Sequence, residues 1–209
     1  MLPLRSTVSA RRHWITVTLI LVNIVVFVWE FSQSEEALGA AIGLLGFVPA
    51  QPTLWGPLSS QFLHGGVAHV AGNMLFLWIF GPPVEARLGS LRFLLLALGG
   101  GLAAAGVQWA SDPASTVPMI GASGAVSAVL GAYFLLFART GVEVLVGFFV
   151  FWRRVTWPAL LFLGLWFLQN LLAGMLGWVM PTEGGVAWWA HVGGFVVGAL
   201  VGLAKRLRG

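Results

Sequence analysis

Six apolar runs, at about residues 14–31, 67–83, 91–110, 119–138, 157–178 and 187–204, set the limits on what this chain can become. A helix needs roughly 20 mostly apolar residues to cross the ~30 Å hydrocarbon core of a bilayer, and runs of this length qualify. There is too little charge to clothe a soluble domain. Only 9% of the 209 residues are charged, against about 25% in soluble proteins. The expected fold is an all-α membrane protein, a compact bundle of six transmembrane helices forming one domain over residues 1–209. A further apolar piece, VEVLVGFFVFW (142–152), is too short to cross and is read as interfacial or re-entrant. The N-terminal MLPLRSTVSARRHW has the look of a signal peptide, but the run continues to Phe31, which favours a retained signal anchor.

The charges fix an orientation. With the N-terminus in the cytoplasm, Arg5, Arg11, Arg12, Arg87, Arg92, Arg139, Arg153, Arg154, Lys205, Arg206 and Arg208 all fall on the inner side. Glu30, Glu35, Glu36, Asp112 and Glu183 fall on the outer side. Cytoplasmic loops carry the excess of Lys and Arg, so both termini are expected to be cytoplasmic. The pI of 11.1 then reflects topology, not a nucleic-acid surface. Trp14, Trp29, Trp109, Trp157, Trp178 and Trp188 lie at the ends of the runs, as an interfacial aromatic belt requires. The absence of cysteine excludes disulfides, thiolate zinc sites and a thiol nucleophile.

Polar residues inside the runs are candidates for function, because lipid gives them no other reason to be there. The second run opens with FLHGGVAHVAGN, carrying His64, His69 and Asn73; the fourth with GASG, carrying Ser123; the sixth with WWAHVGG, carrying His191. These three helices run in the same direction. Ser123, His191 and the His69/Asn73 pair are each expected about five residues in, some 7–8 Å below the outer boundary. His69 and Asn73, at i and i+4, share a helix face. The set permits acyl transfer: Ser123 as nucleophile, His191 as general base and acid, and His69, Asn73 and the Ser123 N–H as oxyanion donors. Gly121 and Gly124 allow close approach of a neighbouring helix and of substrate backbone. No carboxylate is expected at this depth, so the proposal is a dyad.

Each residue also has a plainer explanation. Ser123 in GASGA suits helix packing, His191 sits beside two tryptophans, and Asn73 could bridge helices. Agreement in depth is what favours chemistry. His64 is assigned to organising the outer loop, Gln169 and Asn170 to helix-helix hydrogen bonding, and Ser127 to a bond within its own helix. The overlapping G-x-x-x-G patterns GGFVVG and GALVG, with Gly194 and Gly198, predict close packing of the last helix. No H-E-x-x-H occurs, and no metal is expected. A transporter and a non-catalytic scaffold that binds transmembrane helices are the competing readings.

Four blocks in order, FLHGGVAHVAGNMLFLWIFG (62–81), VEARLGS (84–90), GASGAVSAVLGAY (121–133) and GVAWWAHVGGFVVG (185–198), resemble the rhomboid family of intramembrane serine proteases in its six-span bacterial form. The resemblance implies Ser123 as nucleophile, His191 as base, and an oxyanion hole of His69, Asn73 and the Ser123 amide. It also implies cleavage of transmembrane protein substrates near small, helix-weakening residues, without cofactor, metal or ATP, in a prokaryotic plasma membrane with the site open to the outer face. By the same resemblance the loop 32–62 lies partly in the outer leaflet, the loop 179–186 caps the site, and the fifth span is a lateral gate. Glu85 and Arg87 match a pair that fixes the turn after the second span. There are two departures. The family's Trp-Arg in the first loop reads Trp55-Gly56 here, and Ser127 stands where an aromatic can stack on the base.

Overall fold

The structure is a computed structural model that describes residues 2–10, 13–148, 151–179 and 185–208. Its elements in order are β1 (Leu2–Ser6), α1 (Trp14–Phe31), α2 (Glu35–Leu45), α3 (Gly56–Ser59), α4 (Val67–Leu88), α5 (Ser90–Ser111), α6 (Ser123–Leu136), β2 (Gly141–Phe148), β3 (Phe151–Pro158), α7 (Ala159–Val179) and α8 (Trp188–Leu207). Among the described residues, five helices (α1, α4, α5, α7 and α8) are long and apolar enough to cross a membrane. The fourth expected span differs. α6 is apolar but has 14 residues, about 21 Å at 1.5 Å per residue, well short of the hydrocarbon core.

The shortening has a local cause. The helix was expected to begin near 119. Instead Met119 pairs with Phe47, each N–H donating to the other's carbonyl at 2.8 and 3.1 Å, and the Gly121 N–H donates to Ser60 O at 2.8 Å. Gly121 then adopts φ +119, a conformation open to glycine and hostile to a residue with a Cβ. The chain cannot be helical there, and α6 starts at Ser123.

The all-α expectation fails at one end of the bundle, where β1, β2 and β3 form an antiparallel sheet in that order. β2 and β3 pair in register from Gly141↔Pro158 to Phe148↔Phe151. The sequence V-E-V-L-V alternates at period two, and Val142 and Val144 turn inward to full burial on the core. The segment read as interfacial is therefore a strand and part of its partner. Ser6 Oγ meets the Tyr133 hydroxyl at 2.6 Å and fastens the sheet to the C-terminal end of α6.

α8 lies against α6 at backbone contact. A Cβ on Gly198 would strike the Ala128 carbonyl oxygen, one on Gly194 the Gly124 carbonyl, and one on Gly131 the Phe195 carbonyl. Gly194, Gly198 and Gly202 on α8 thus face Gly124, Ala128 and Ala132 on α6, the small-residue seam that the G-x-x-x-G spacing predicts. α1 is tied to α4 by a carboxylate. Glu85, 1% exposed, accepts from the N–H groups of Ile15 and Thr16 and the hydroxyls of Thr16 and Ser90, at 2.8 to 3.0 Å. It caps the α1 N-terminus and the turn into α5 together. Arg87 is exposed and forms no ion pair among the described residues.

All described lysines and arginines gather at the end of the bundle that carries the sheet, the α4–α5 turn and the α8 C-terminus, while Glu35, Glu36 and Asp112 lie at the other end. The first and last described residues, Leu2 and Arg208, are both on the basic end. Arg11, Arg12 and Glu183 lie outside the described residues.

Candidate active site

At the end opposite the sheet, a cavity of about 610 Å³ is walled by α4, α6, α7 and α8. His69, Asn73, Ser123 and His191 all line it, so the residues singled out in sequence converge on one space. Their depths differ from expectation. His69 is the third residue of α4, His191 the fourth of α8, and Ser123 the first of α6. Because α6 is short, its first turn begins inside the bundle, and its N–H groups have no side-chain cap. A helix N-terminus with free N–H groups favours negative charge.

His191 is 9% exposed, and its Nδ1 lies 2.7 Å from Asn170 Oδ1 on α7. The Asn170 Nδ2 donates to the Trp166 carbonyl at 2.7 Å, which leaves the Asn170 oxygen facing the ring. An oxygen there can only accept, so the neutral imidazole carries its proton on Nδ1 and keeps the Nε2 lone pair. That is the tautomer a general base requires. Trp166 stacks near the ring at 5.9 Å and 33°, and Trp188 meets it edge-on at 6.0 Å. The Gln108 Oε1 on α5 accepts the Ala190 N–H at 3.2 Å and fixes the first turn of α8. Ser123 and His191 make no direct hydrogen bond among the described residues; such bonds are commonly long before substrate binds.

His69 packs over Gly121: a Cβ there would lie 2.6 Å from both Cε1 and Nε2 of the imidazole. The Gly65 N–H donates to His69 Nδ1 at 3.4 Å, so the neutral ring carries its proton on Nε2. Asn73 Nδ2 is buried and has no partner among the described residues. Two donors are therefore unspent at the cavity.

His64 is 3% exposed and its ring stands edge-on to His69 at 5.1 Å. Burial, and the charge His69 can carry beside it, push its pKa down to about 4. Its N–H donates to both carboxylate oxygens of Glu30 at 3.1 Å. A carboxylate does lie near this level, contrary to expectation. Glu30 is buried on α1 and serves the loop backbone, outside the cavity lining.

Both departures noted in sequence have a structural counterpart. Gly56 is buried with its Cβ position 2.7 Å from Thr53 Oγ1 and 3.1 Å from Gly46 O, so a side chain at position 56 would have to displace its neighbours in this loop. Ser127 donates to the Ser123 carbonyl at 2.6 Å, inside the tight α6–α8 seam, and the aromatic surface against His191 comes from Trp166 of α7 instead. Asn170, Trp166 and Gln108 are the site residues that sequence reasoning missed as such. For Asn170 and Gln108 the signal was polarity within apolar runs, which the spacing alone did not connect to His191; Trp166 gave none.

The fold defines a multi-pass integral membrane protein with a serine, histidines and an asparagine enclosed among its helices. Residues 51–208 match the Rhomboid domain family, and the chain belongs to the rhomboid family. It is 39% identical to Rhomboid protease GluP of Bacillus subtilis (strain 168) over 101 residues, 48% of this chain and 19% of that protein. It is 32% identical to Rhomboid protease GlpG of Serratia proteamaculans (strain 568) over 154 residues, 71% of this chain and 47% of that one. Rhomboid protease AarA of Providencia stuartii is 25% identical over 213 residues, 92% of this chain and 73% of its own. The chain spans less than half the length of the first two.

Proposed function

We propose that this chain is an intramembrane serine protease working through a Ser123–His191 dyad. The observation that carries this reading is the Asn170–His191 bond, which leaves the base nitrogen of His191 free in the cavity that Ser123 lines. His191 Nε2 takes the Ser123 hydroxyl proton as Oγ adds to the scissile carbonyl. His69 Nε2–H, Asn73 Nδ2–H and the Ser123 N–H receive the developing oxyanion; each such donor is worth roughly 10²–10³ in rate. As the C–N bond breaks, His191 returns the proton to the leaving amine. Water then hydrolyses the acyl-serine, with His191 again taking a proton.

The whole chain acts as one rhomboid unit of six spans, with α6 the short one. The basic end faces the cytoplasm, both termini with it, and the cavity opens to the outer face of a prokaryotic plasma membrane. Substrates are transmembrane segments with small, helix-weakening residues. They enter between α4 and α7, the latter acting as gate. The loop 32–62, with Leu54 and Trp55 exposed, rests in the outer leaflet. Most of the proposed capping loop, residues 180–184, lies outside the described residues.

The test is cleavage of single-span model proteins co-reconstituted in vesicles. Wild type is expected to cut segments containing Gly and Ala, and Ser123→Ala to leave them intact. A folded wild-type chain that cuts none of a broad panel would leave a helix-binding scaffold in its place.

A further inference from the structure

At the end of the bundle away from the active site, a second cavity of about 610 Å³ runs between α5 and α8. α5 contributes Arg92, Leu96 and Gly99, spaced i, i+4, i+7; α8 contributes Val197, Val201 and Lys205, spaced i, i+4, i+8, and Arg208 follows at its C-cap. Each set lies along one helix face. The groove is apolar along its length and cationic at its mouth. It opens to the outer surface of the bundle, where Leu95 and Val201 are exposed. Among the described residues the sole ion pair is Arg5–Glu143, so Arg92, Lys205 and Arg208 have no carboxylate partner.

Gly99 bears on what fills the groove. A Cβ at Gly99 would meet nothing within 4 Å, whereas one at Gly100 would strike the Ala128 Cβ. Gly100 is needed for packing on α6; Gly99 is not, and its backbone has no positive φ. Glycine costs a helix about 1 kcal/mol relative to alanine, and here the return is an open groove. From Val197 to Arg208 the rise is roughly 16 Å, close to one leaflet of a ~30 Å hydrocarbon core.

We propose that this groove holds one anionic phospholipid of the inner leaflet, its phosphate on Arg92, Lys205 and Arg208 and an acyl chain lying along Gly99. An apolar partner helix would cover the apolar length and leave the cations at the mouth without an anion. Free phosphate would use the cations and leave the apolar length unfilled. A zwitterionic lipid would leave the three positive charges without net compensation. The site is separate from the proposed dyad and does not depend on it.

Native mass spectrometry of the delipidated full chain tests this directly. The probes are phosphatidylglycerol, phosphatidylcholine with the same chains, and glycerophosphoglycerol, the headgroup without chains. Wild type is expected to retain one phosphatidylglycerol in preference to phosphatidylcholine, and no chain-free headgroup. Each cation near an anionic headgroup contributes roughly fivefold in affinity, so a triple Arg92→Gln, Lys205→Gln, Arg208→Gln variant should lose on the order of a hundredfold. A Cβ at Gly99 meets no neighbour, so Gly99→Leu is expected to project into the groove, lose retention and keep the wild-type melting temperature. Equal retention of both lipids by wild type, binding of the headgroup alone, or undiminished retention in a folded Gly99→Leu chain would each overturn the assignment.

Discussion

Asn170→Leu is expected to lower kcat on the order of a hundredfold with KM nearly unchanged, the scale of losing a partner that orients a working imidazole. The side chain lies across the His191 ring from the base nitrogen and fixes which nitrogen is protonated. Leucine of similar size keeps α7 packed and removes the acceptor, so His191 can rotate or present Nε2 protonated, and either blocks proton uptake from Ser123. Asn170→Asp keeps an oxygen at the same place and is expected to recover most of the rate. Steady-state cleavage by the three proteins in one detergent decides it. A Leu variant with wild-type kcat would mean that the Trp166 and Trp188 rings hold the base without Asn170.

Gly198→Leu carries the largest expected loss of stability. Its Cβ would lie inside the contact distance of the Ala128 carbonyl, and both groups belong to helix backbones that cannot relax as a side chain can. Separating α6 from α8 also separates the Ser123 end of one from the His191 end of the other. A destabilisation of at least ~3 kcal/mol is expected, above the usual cost of overpacking a core, with loss of activity. Gly99→Ala is the matched control: it gains helix propensity, meets no neighbour, and should melt at or above wild type. Comparable melting temperatures for the Gly198 and Gly99 variants would show that the α6–α8 seam is looser than its geometry.

Much of this was legible in the chain. The G-x-x-x-G spacing announces the α6–α8 seam, because a repeat of small residues every fourth position leaves few other uses in lipid. Ser123, His191, His69 and Asn73 could be grouped because polar residues are scarce in apolar runs. Their common depth could not be read correctly, since hydropathy does not register the Gly121 turn that delays α6 to Ser123. The sheet was hidden for a related reason: V-E-V-L-V is as apolar as a helix segment, and its period of two was the only sign of a strand. Asn170 was understood by half. Its oxygen does bond across to another helix, as the apolar run around it suggested, but the sequence could not show that the partner on α8 is His191, nor that its amide nitrogen is held within α7 by the Trp166 carbonyl.

The most direct test of the central claim is labelling of the chain in native membranes by a fluorophosphonate, which reacts with serines made nucleophilic by a neighbouring base. Label is expected on the wild-type chain at Ser123, with none on Ser123→Ala and a near-complete loss on His191→Ala. Equal labelling of all three, or none on a folded wild-type chain, would contradict the dyad.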